Sequence, residues 1–407
     1  MKKIDVVRPG TLKKSIGPSG TLKRIIKNRE YFLSRGYDVT IFTHDVFSEE
    51  SESNETPTIT HTQKSFLYKL KSRLREYAKH SSWFGAVYII RDYLNVKKLT
   101  LHYLKQNRIV DAVVFHSTFE CYQFLRRNKR PVKTVLFFHS DGIPLKMEKI
   151  YYPKMADSCV FRKLHQMEEY VIKNVDQLVF ISEIGRNNFL SYYPFIDKNK
   201  TIVILNGIED LTDKEQRTLE EHIQSQEKFA YRLCCTGTIN ARKGQSIIVE
   251  ALHRLDPSIL KDIHLTLIGN GPDKFLLEQL VEKYGLPEHV SFVGNVPNDQ
   301  VYLYLSRATI YILMSYNEGL PISIIEAMRM ELPIISTRIS GIPELVPEGV
   351  NGFLVEPDID QLVSILEHIK EYDWAAMGEQ SREIFINKFT FDRMKSEYCN
   401  MLDHILN

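Results

Sequence analysis

The chain has 407 residues, 43% of them apolar, and a formal net charge of +2, which predicts two or three well-packed domains and excludes a disordered protein. No apolar run approaches the ~20 residues of a membrane-spanning helix, and the N-terminus enters a predicted strand directly, without the apolar segment of a signal peptide. Five cysteines without CxxC or zinc-ligand spacing favour a reducing cytoplasm.

The charge is distributed unevenly along the chain. Residues 1–205 hold 35 Lys and Arg against 20 Asp and Glu, a balance of +15, whereas the remaining residues have a balance of −13. The basic side chains are densest in 64–108, where eleven basic residues accompany two acidic ones. This asymmetry predicts an anionic partner for the first half. Because the sequence contains no nucleic-acid recognition motif, an anionic membrane surface is favoured over nucleic acid.

The first half alternates predicted strands and helices. A strand at 3–7 is followed by the turn Gly17-Pro18-Ser19-Gly20, which opens a helix that runs to about Ser34. Gly17 and Gly20 would let a ligand approach the backbone closely, although an ordinary strand–helix turn has the same composition. The other strands of this half are predicted at 38–44, 111–115, 135–138, 177–182 and 201–205.

Two histidines each follow a predicted strand. His116 comes directly after 111–115, and His139 comes directly after 135–138. Residues at the carboxyl ends of parallel strands point towards the ligand crevice of an open α/β sheet. Both histidines are therefore candidate ligand contacts, and a purely structural role is the alternative for each.

The basic segment 64–108 also has an amphipathic pattern. Its apolar residues form two groups near helical spacing: Phe66, Leu67, Leu70, Leu74 and Tyr77, then Trp83, Phe84, Val87, Tyr88, Ile89 and Ile90. A basic amphipathic helix can lie on a membrane surface. The alternative is a helix that packs on its own domain and leaves its basic face in solvent.

The polar, acidic stretch 209–227 predicts a domain boundary, after which the strand–helix alternation restarts. A strand at 232–236 leads into a loop from Gly237 to Gly244 that contains Arg242 and Lys243. A glycine-bounded basic loop in front of a helix suits phosphate binding. Two more strands are predicted at 264–268 and 290–293.

The most informative stretch is 311–341, which reads as one strand–helix–strand unit. Glu318 lies in the loop before the helix, Pro321 lies at its predicted start, and Glu326 lies about a turn and a half inside it. Open backbone N–H groups and the positive end of the helix dipole lie between the two carboxylates. This combination suits a phosphate with hydroxyl groups on either side, as in a nucleotide sugar.

The segment NEGLPISIIEAM, with Glu318 and Glu326 separated by seven residues, resembles the signature of the retaining glycosyltransferases of family 4. The resemblance is strong over 232–369 and weaker over the first half. It implies the GT-B fold, an α/β architecture of two Rossmann-like domains that face each other across a cleft. It also implies retention of the anomeric configuration.

The resemblance implies roles for particular residues. Glu318 would hold hydroxyls of the transferred sugar, Glu326 would hold the ribose, and Lys243 would contact the diphosphate. Thr238 stands where the family has an arginine, and Arg242 is a candidate substitute for that arginine. The remaining contacts implied for the donor are His139 beside its sugar, Gly17 and Gly20 at its phosphates, Gly294 and Val296 at its base, and Gly319, Leu320 and Pro321 at the helix start.

Asp358-Ile359-Asp360 has the form of the DxD motif that holds a metal in other glycosyltransferases. It directly precedes an amphipathic helical pattern, so Asp358 is interpreted as a helix N-cap. We therefore expect no metal and no cofactor, with Lys243, Arg242 and the helix start stabilising the leaving diphosphate.

The sequence thus predicts an acceptor-binding domain at 1–208 and a donor-binding domain at 228–375, with helix 376–407 packed back on the first domain. The predicted reaction moves a sugar from a nucleoside diphosphate, with UDP favoured, to a hydroxyl of a glycan or lipid-linked oligosaccharide in surface polysaccharide synthesis. The predicted location is cytoplasmic, with an anionic membrane surface as a candidate contact. The alternatives are a sugar-nucleotide epimerase of the same fold and a non-catalytic subunit that binds sugar nucleotides.

Overall fold

A computed structural model describes residues 1–10, 19–44, 81–143, 145–222 and 228–407. The chain divides into two compact units: the first comprises Met1–Ile181, Gly185–Ile204 and Glu397–Asn407, and the second comprises Ser182–Ile184 and Leu205–Ser396. Each unit contains a six-stranded sheet whose strands are all parallel. The predicted α/β class with two Rossmann-like sheets is confirmed.

The first sheet has the strand order β2-β1-β3-β4-β5-β6. Its strands are β1 Lys2–Val7, β2 Tyr37–Phe42, β3 Ala112–Phe115, β4 Lys133–Phe138, β5 Gln177–Phe180 and β6 Thr201–Val203. All four residues of β3 are buried, as expected for a central parallel strand that is covered on both faces. Because the strands are parallel, the residues that follow β1, β3 and β4 share one edge of the sheet.

The helices that precede residue 205 are α1 Ser19–Lys27, α2 Arg29–Ser34, α3 Ser82–Lys105, α4 Thr118–Leu125, α5 Lys146–Tyr151, α6 Cys159–Asn174 and α7 Glu183–Tyr192. The prediction of a single helix that ends near Ser34 is wrong, because the helix is interrupted at Asn28 and forms α1 and α2. The Asn28 Nδ2 donates to the carbonyl of Arg24 at 2.9 Å. An asparagine side chain that bonds the backbone in this way competes with helix continuation.

The second sheet has the order β12-β11-β10-β7-β8-β9. Its strands are β7 Tyr231–Thr236, β8 Ile263–Ile268, β9 Val290–Gly294, β10 Ile310–Leu313, β11 Ile334–Thr337 and β12 Gly352–Val355. β7 and β10 are neighbours at the centre of the sheet, with Tyr311 paired to Cys234. The loops that follow these two strands therefore emerge side by side.

The later helices are α8 Asp213–His222, α9 Gln245–Arg254, α10 Pro257–Leu260, α11 Lys274–Lys283, α12 Val301–Leu305, α13 Ile322–Arg329, α14 Ile342–Leu345, α15 Ile359–Glu367, α16 Trp374–Lys388 and α17 Phe391–Leu406. The stretch 209–227, which was predicted only as a domain boundary, contains α8. A capping box starts this helix, because Glu215 Oε2 accepts from the Thr212 backbone N–H at 2.8 Å. Apolar periodicity does not predict this helix, because its residues are almost all polar.

The end of α17 belongs to the first unit. There Tyr398 stacks on Phe137 with ring centroids 5.6 Å apart, and Arg35 Nη2 lies 3.2 Å from the Asp403 carboxylate. Tyr398 is buried, so its ring adds to the apolar core of that unit.

Only the later part of the basic segment is described, and residues 64–80 lie outside the described ranges. The second apolar group falls in α3, whose N-cap Ser81 accepts a hydrogen bond from the Phe84 N–H at 3.4 Å. One side of α3 is buried through Ile89, Val96 and Leu99. The helix therefore packs on the first unit along one face and presents the other face outward.

Candidate active site

A buried polar group in the second unit surrounds Glu318, in the loop between β10 and α13. The Glu318 Oε1 lies 2.7 Å from Lys243 Nζ and accepts from Ser315 Oγ at 2.7 Å. The Oε2 lies 3.4 Å from Arg242 Nη1. The carboxylate is only 9% exposed, so it is a buried charge with two cationic partners.

Lys243 and Arg242 lie in the loop that follows β7, which is the neighbour of β10. A short turn at Ala241–Lys243 ends at Gly244, which has φ +64°. A Cβ on Gly244 would lie 1.9 Å from the carbonyl oxygen of Met314, so only glycine fits here. This close approach brings the β7 loop against the β10 loop.

Hydrogen bonds fix the two loops together. Arg242 Nη1 donates to the carbonyl of Asn317 at 2.6 Å, and the N–H of Tyr316 donates to the carbonyl of Arg242 at 2.8 Å. Although Arg242 and Lys243 are adjacent in sequence, both side chains reach Glu318. The Thr337 hydroxyl donates to the Ser315 carbonyl at 2.7 Å, which ties the β10 loop to β11.

The charges around Glu318 are balanced in favour of its ionised form. Burial alone would raise the pKa of Glu318, but Lys243 first and Arg242 second reverse that effect and hold the pKa below its ordinary value. The group is therefore a carboxylate at neutral pH. Two buried donors beside it, Arg242 Nε and Asn317 Nδ2, have no acceptor among the described residues. Unpaired donors of this kind are available to an oxygen-rich ligand.

The start of α13 lies directly after Glu318. Pro321 is the N-cap and not the first helical residue, a shift of one position from the prediction. The carbonyl of Leu320 accepts from Asn206 Nδ2 at 3.1 Å, and that of Gly319 accepts from the Gly341 N–H at 2.9 Å. These bonds hold the segment in front of the helix. Glu326 lies within α13 and is partly exposed.

The remaining predicted donor contacts of the second unit lie after β7 and at the end of β9. Thr238 is exposed, and its carbonyl accepts from Gln245 Nε2 at 3.2 Å. Gly294 ends β9 with φ +84°, and Val296 follows it, partly exposed. β7 and β8 separate β9 from β10 in the sheet. Gly294 and Val296 therefore belong to a part of the sheet edge that is distinct from the Glu318 group.

In the first unit, the two predicted histidines contact each other. His116 Nδ1 and His139 Nε2 are 2.7 Å apart, and the rings are nearly parallel at 5.0 Å. Burial lowers the pKa of both, to about 3 for His139, and the positive charge of Arg8 lowers both further. Both imidazoles are therefore neutral at physiological pH. The sequence predicted each histidine singly and did not predict their pairing.

The two predicted glycines of the first unit have different outcomes. Gly20 is the second residue of α1, and a Cβ there would lie 3.3 Å from the end of the Arg24 side chain. Gly17 lies outside the described residues, so its predicted phosphate contact stays a prediction.

A cavity of about 210 Å³ in the first unit was not predicted. Its polar wall includes Ser117, Ser140, Lys146, Glu148 and Glu168. Burial raises the pKa of Glu168 to about 8, with a further contribution from Glu148, whose own pKa burial also raises. The sequence hint to this cavity is that Ser117 and Ser140 directly follow the two histidines. The carboxyl groups come from later helices and have no recognisable spacing.

The DxD-like sequence has the predicted capping role. Asp358 accepts from the Gln361 N–H at 3.0 Å as the N-cap of α15, and Asp360 lies 2.6 Å from Arg254 Nη1. Within the described ranges, no group of three or more His, Cys, Asp or Glu side chains could hold a metal ion. The same ranges contain no helix long and apolar enough to cross a membrane.

Two family models match this chain. The model described as glycosyl transferases group 1 matches residues 216–387, and the model described as glycosyltransferase family 4 matches residues 20–210. The chain belongs to glycosyltransferase family 4. The first model includes Glu318, Glu326, Arg242 and Lys243, so the predicted donor residues lie within the family's matched region.

Individual relatives are distant. An uncharacterized glycosyltransferase of Methanocaldococcus jannaschii is 25% identical over 76% of this chain and 78% of its own length. The phosphatidylinositol N-acetylglucosaminyltransferase GPI3 subunit of Saccharomyces cerevisiae is 22% identical over 70% of this chain. The chain spans 64% of that yeast protein, less than two thirds of its length.

A solved structure supports the same fold. The Anabaena protein HepE in complex with UDP superposes with a TM-score of 0.62 at 16% identity, over 99% of this chain and all of HepE. Family 4 glycosyltransferases of GT-B type act on nucleotide sugars in glycan biosynthesis. This chain is therefore a glycosyltransferase-type enzyme with the GT-B fold.

Proposed function

We propose that this family 4 glycosyltransferase transfers a hexosyl or N-acetylhexosaminyl group from a UDP-sugar, with retention, to a hydroxyl of a glycan or lipid-linked oligosaccharide in surface polysaccharide synthesis. The observation that carries the proposal is the buried Glu318 carboxylate, which contacts Lys243 and Arg242 directly before α13. HepE binds UDP, and the name of the yeast relative states N-acetylglucosaminyl transfer to a phosphatidylinositol. The first supports UDP as the carrier of the donor, and the second supports an N-acetylhexosaminyl group as the transferred sugar.

The chemistry requires that the departing diphosphate be stabilised as it gains negative charge. In the structure, Lys243 and Arg242 both form ion pairs with Glu318. When a donor binds, we expect these cations to bond the phosphate oxygens together with the open N–H groups after Pro321. Glu318 then accepts from hydroxyls of the transferred sugar and fixes its orientation. This scheme requires no metal.

The other donor contacts remain part of the proposal. Glu326 accepts from the ribose hydroxyls, and the backbone at Gly294 and Val296 holds the base. His139 contacts the donor sugar, a role that its position at the end of β4 supports.

We propose that the first-unit cavity holds part of the acceptor. Two serine hydroxyls, Lys146 and the carboxyl groups of Glu148 and Glu168 line it, and such groups exchange hydrogen bonds with sugar hydroxyls. Its apolar wall includes Phe119 and Phe138, which suits the face of a sugar ring. A hydroxyl-rich neutral acceptor group fits this mixture of donors, acceptors and apolar surface.

We also propose that α3 contacts an anionic membrane. Trp83, Val87, Ile90 and Leu94 are 46–68% exposed and recur at three- and four-residue spacing, which places them on one face of the helix. The same face includes Arg91, Lys97 and Lys98. An apolar stripe beside basic side chains matches the apolar interior and negative headgroups of an anionic bilayer surface.

A transfer assay tests the proposed reaction. The purified chain is incubated with UDP-glucose or UDP-N-acetylglucosamine and lipid-linked oligosaccharides, and the products are identified by mass spectrometry and NMR. We expect a new α-linked sugar on the acceptor and release of UDP. Glu318→Ala should abolish transfer, whereas Glu379→Ala, an exposed carboxylate on α16, should leave it unchanged.

The same assay separates the alternatives. An altered free or nucleotide-bound sugar without transfer would identify an epimerase. UDP-sugar binding without transfer or hydrolysis would identify a non-catalytic subunit. Either result would contradict the proposed reaction.

A further inference from the structure

The histidine pair of the first unit has a proton arrangement that the surrounding residues decide. His116 Nδ1 and His139 Nε2 are 2.7 Å apart, so one nitrogen must donate and the other must accept. Burial and the charge of Arg8 keep both rings neutral, so each ring carries a single N–H. In a neutral imidazole, the hydrogen bond at one nitrogen determines whether the other carries the proton.

Two arrangements satisfy this contact. In the first, His116 Nδ1–H donates to His139 Nε2, which leaves His116 Nε2 bare and places the proton of His139 on Nδ1. In the second, His139 Nε2–H donates to His116 Nδ1, which places an N–H at His116 Nε2 and leaves His139 Nδ1 bare. The two arrangements therefore give His139 opposite properties at Nδ1, a donor in one and an acceptor in the other.

The surroundings of His116 favour the first arrangement. Its Nε2 is buried and has no hydrogen-bond partner in the part of the chain that the structure describes. An unpaired buried N–H is rarer in proteins than an unpaired acceptor. Among the described residues, the charge of the Arg8 guanidinium lowers the pKa of both rings and so favours their neutral forms. The first arrangement leaves a bare acceptor, and not an N–H, at the buried unpaired position of His116.

We propose that His116 is a positioning residue that fixes His139 in the tautomer with its proton on Nδ1. His139 then presents a neutral hydrogen-bond donor at the end of β4, which suits a sugar hydroxyl or a developing negative charge and excludes a general-base role through that nitrogen. His116 also stacks on Phe137, with ring centroids 5.0 Å apart, and this contact fixes the orientation of the His116 ring towards His139. The assignment of a substrate to His139 rests on the proposed function, whereas the tautomer assignment does not.

The tautomer is measured by nitrogen NMR on the ligand-free protein labelled only at histidine, near neutral pH. Protonated and bare ring nitrogens resonate in separate regions, and His139→Gln identifies the signals of His139 by their loss. We expect the proton of His139 on Nδ1. A wild-type spectrum with the proton of His139 on Nε2 overturns the proposal, whatever the His116 variants show.

Three substitutions test whether His116 causes this preference. The amide of His116→Asn can turn its NH2 group towards His139 Nε2, so this variant should keep the tautomer. An ionised carboxylate in His116→Asp can only accept, so that variant should move the proton to Nε2. His116→Leu removes the contact and should give a mixture of tautomers. An unchanged His139 spectrum in both His116→Asp and His116→Leu would show that His116 does not control the proton.

Turnover supplies the functional part of the test, with UDP-N-acetylglucosamine and UDP-glucose as donors. We expect His116→Asp to lower kcat/KM by about 100-fold, the scale for losing one charge-stabilising donor, and His116→Asn to stay near the wild-type value. Equal losses in both variants would indicate a structural role only. If the wild-type chain shows no transfer at all, the proposed function fails. The tautomer of His139 is still tested by NMR, independently of that result.

Discussion

Glu318 and Glu326 differ in their surroundings, and this difference predicts opposite effects on UDP affinity. Glu318 neutralises Lys243 and Arg242, so Glu318→Ala should release both cations and leave UDP affinity equal or higher while turnover falls. Glu326→Ala should weaken UDP binding, because a hydroxyl-accepting carboxylate is lost. Calorimetric titration with UDP measures both. Equal losses of affinity in the two variants would contradict this division of roles.

The same buried cluster predicts a cost in stability. Removing one partner of a buried ion pair costs about 3–5 kcal/mol, because the other charge stays buried and unpaired. Glu318 is the shared partner of two cations, so its loss should be at the upper part of that range if the loops do not rearrange. This expectation means that activity of the Glu318→Ala variant must be measured where the variant is shown to be folded.

Arg242 is predicted to supply the positive charge missing at Thr238. Its Nη1 contacts Glu318 and its Nε is a buried donor without an acceptor among the described residues, so the guanidinium is held at the site with capacity for a ligand. Arg242→Ala should raise the free-energy barrier to sugar transfer by about 2–4 kcal/mol. Measurement of kcat/KM decides it, with the exposed Arg307→Ala as the matched control.

The result also determines what Thr238→Arg should do. If Arg242→Ala loses activity, adding Thr238→Arg to that variant should restore part of it, since Thr238 is exposed on the loop after β7. A silent Arg242→Ala would show that Lys243 and the start of α13 act without the guanidinium.

Glu168 gives a prediction for stability against pH. Burial raises its pKa to about 8, so its favourable contribution is complete below the ordinary pKa of a glutamic acid and is lost as the pH rises towards 8. Glu168→Gln keeps the shape and removes the ionisation. Chemical unfolding at several pH values measures the difference. Relative to the wild type, the free energy of unfolding of the variant should rise by up to about 1.4 kcal/mol per pH unit between pH 5 and 8. Parallel pH profiles would contradict the raised pKa.

At the scale of elements, α3 tests the proposed membrane contact. Neutralising Arg91, Lys97 and Lys98 with glutamine should weaken binding to anionic vesicles by about 3 kcal/mol, at roughly 1 kcal/mol for each basic residue near the surface. Vesicle sedimentation measures the change, and the exposed Lys129, Lys154 and Lys198 offer a charge-matched control triple. Equal binding to neutral and anionic vesicles would favour a solvated helix face.

Most strands could be predicted because buried parallel strands are short apolar runs that sequence alone reveals. The helix 213–222 could not be found by periodicity, since its stability comes from the capping box at Thr212 and Glu215. The break at Asn28 arises from a side-chain bond to Arg24 that competes with the helix, and apolar spacing does not report such bonds. Periodicity thus locates elements that are buried and misses those set by local polar bonds.

At the scale of the whole molecule, the residue types of the site could be predicted but their contacts could not. Lys243 and Glu318 are distant in sequence and meet because β7 and β10 are neighbours in the second sheet. That adjacency is a property of the strand order, which the sequence pattern does not reveal. The pairing of His116 with His139 has the same origin in the adjacency of β3 and β4. The carboxyl groups of the first-unit cavity lie on two different helices, so no local sequence motif predicts it.

The central claim is that Lys243 and Arg242 bind a nucleoside diphosphate without a metal. It is tested most directly by calorimetric titration of UDP into the purified chain with EDTA present, for the wild type, Lys243→Ala and Arg307→Ala. We predict that the wild type and Arg307→Ala bind UDP equally in EDTA, and that Lys243→Ala loses about 1.5–3 kcal/mol of affinity, the scale of one charged hydrogen bond. UDP binding that requires added magnesium or manganese, or that is unchanged in Lys243→Ala, would contradict the claim.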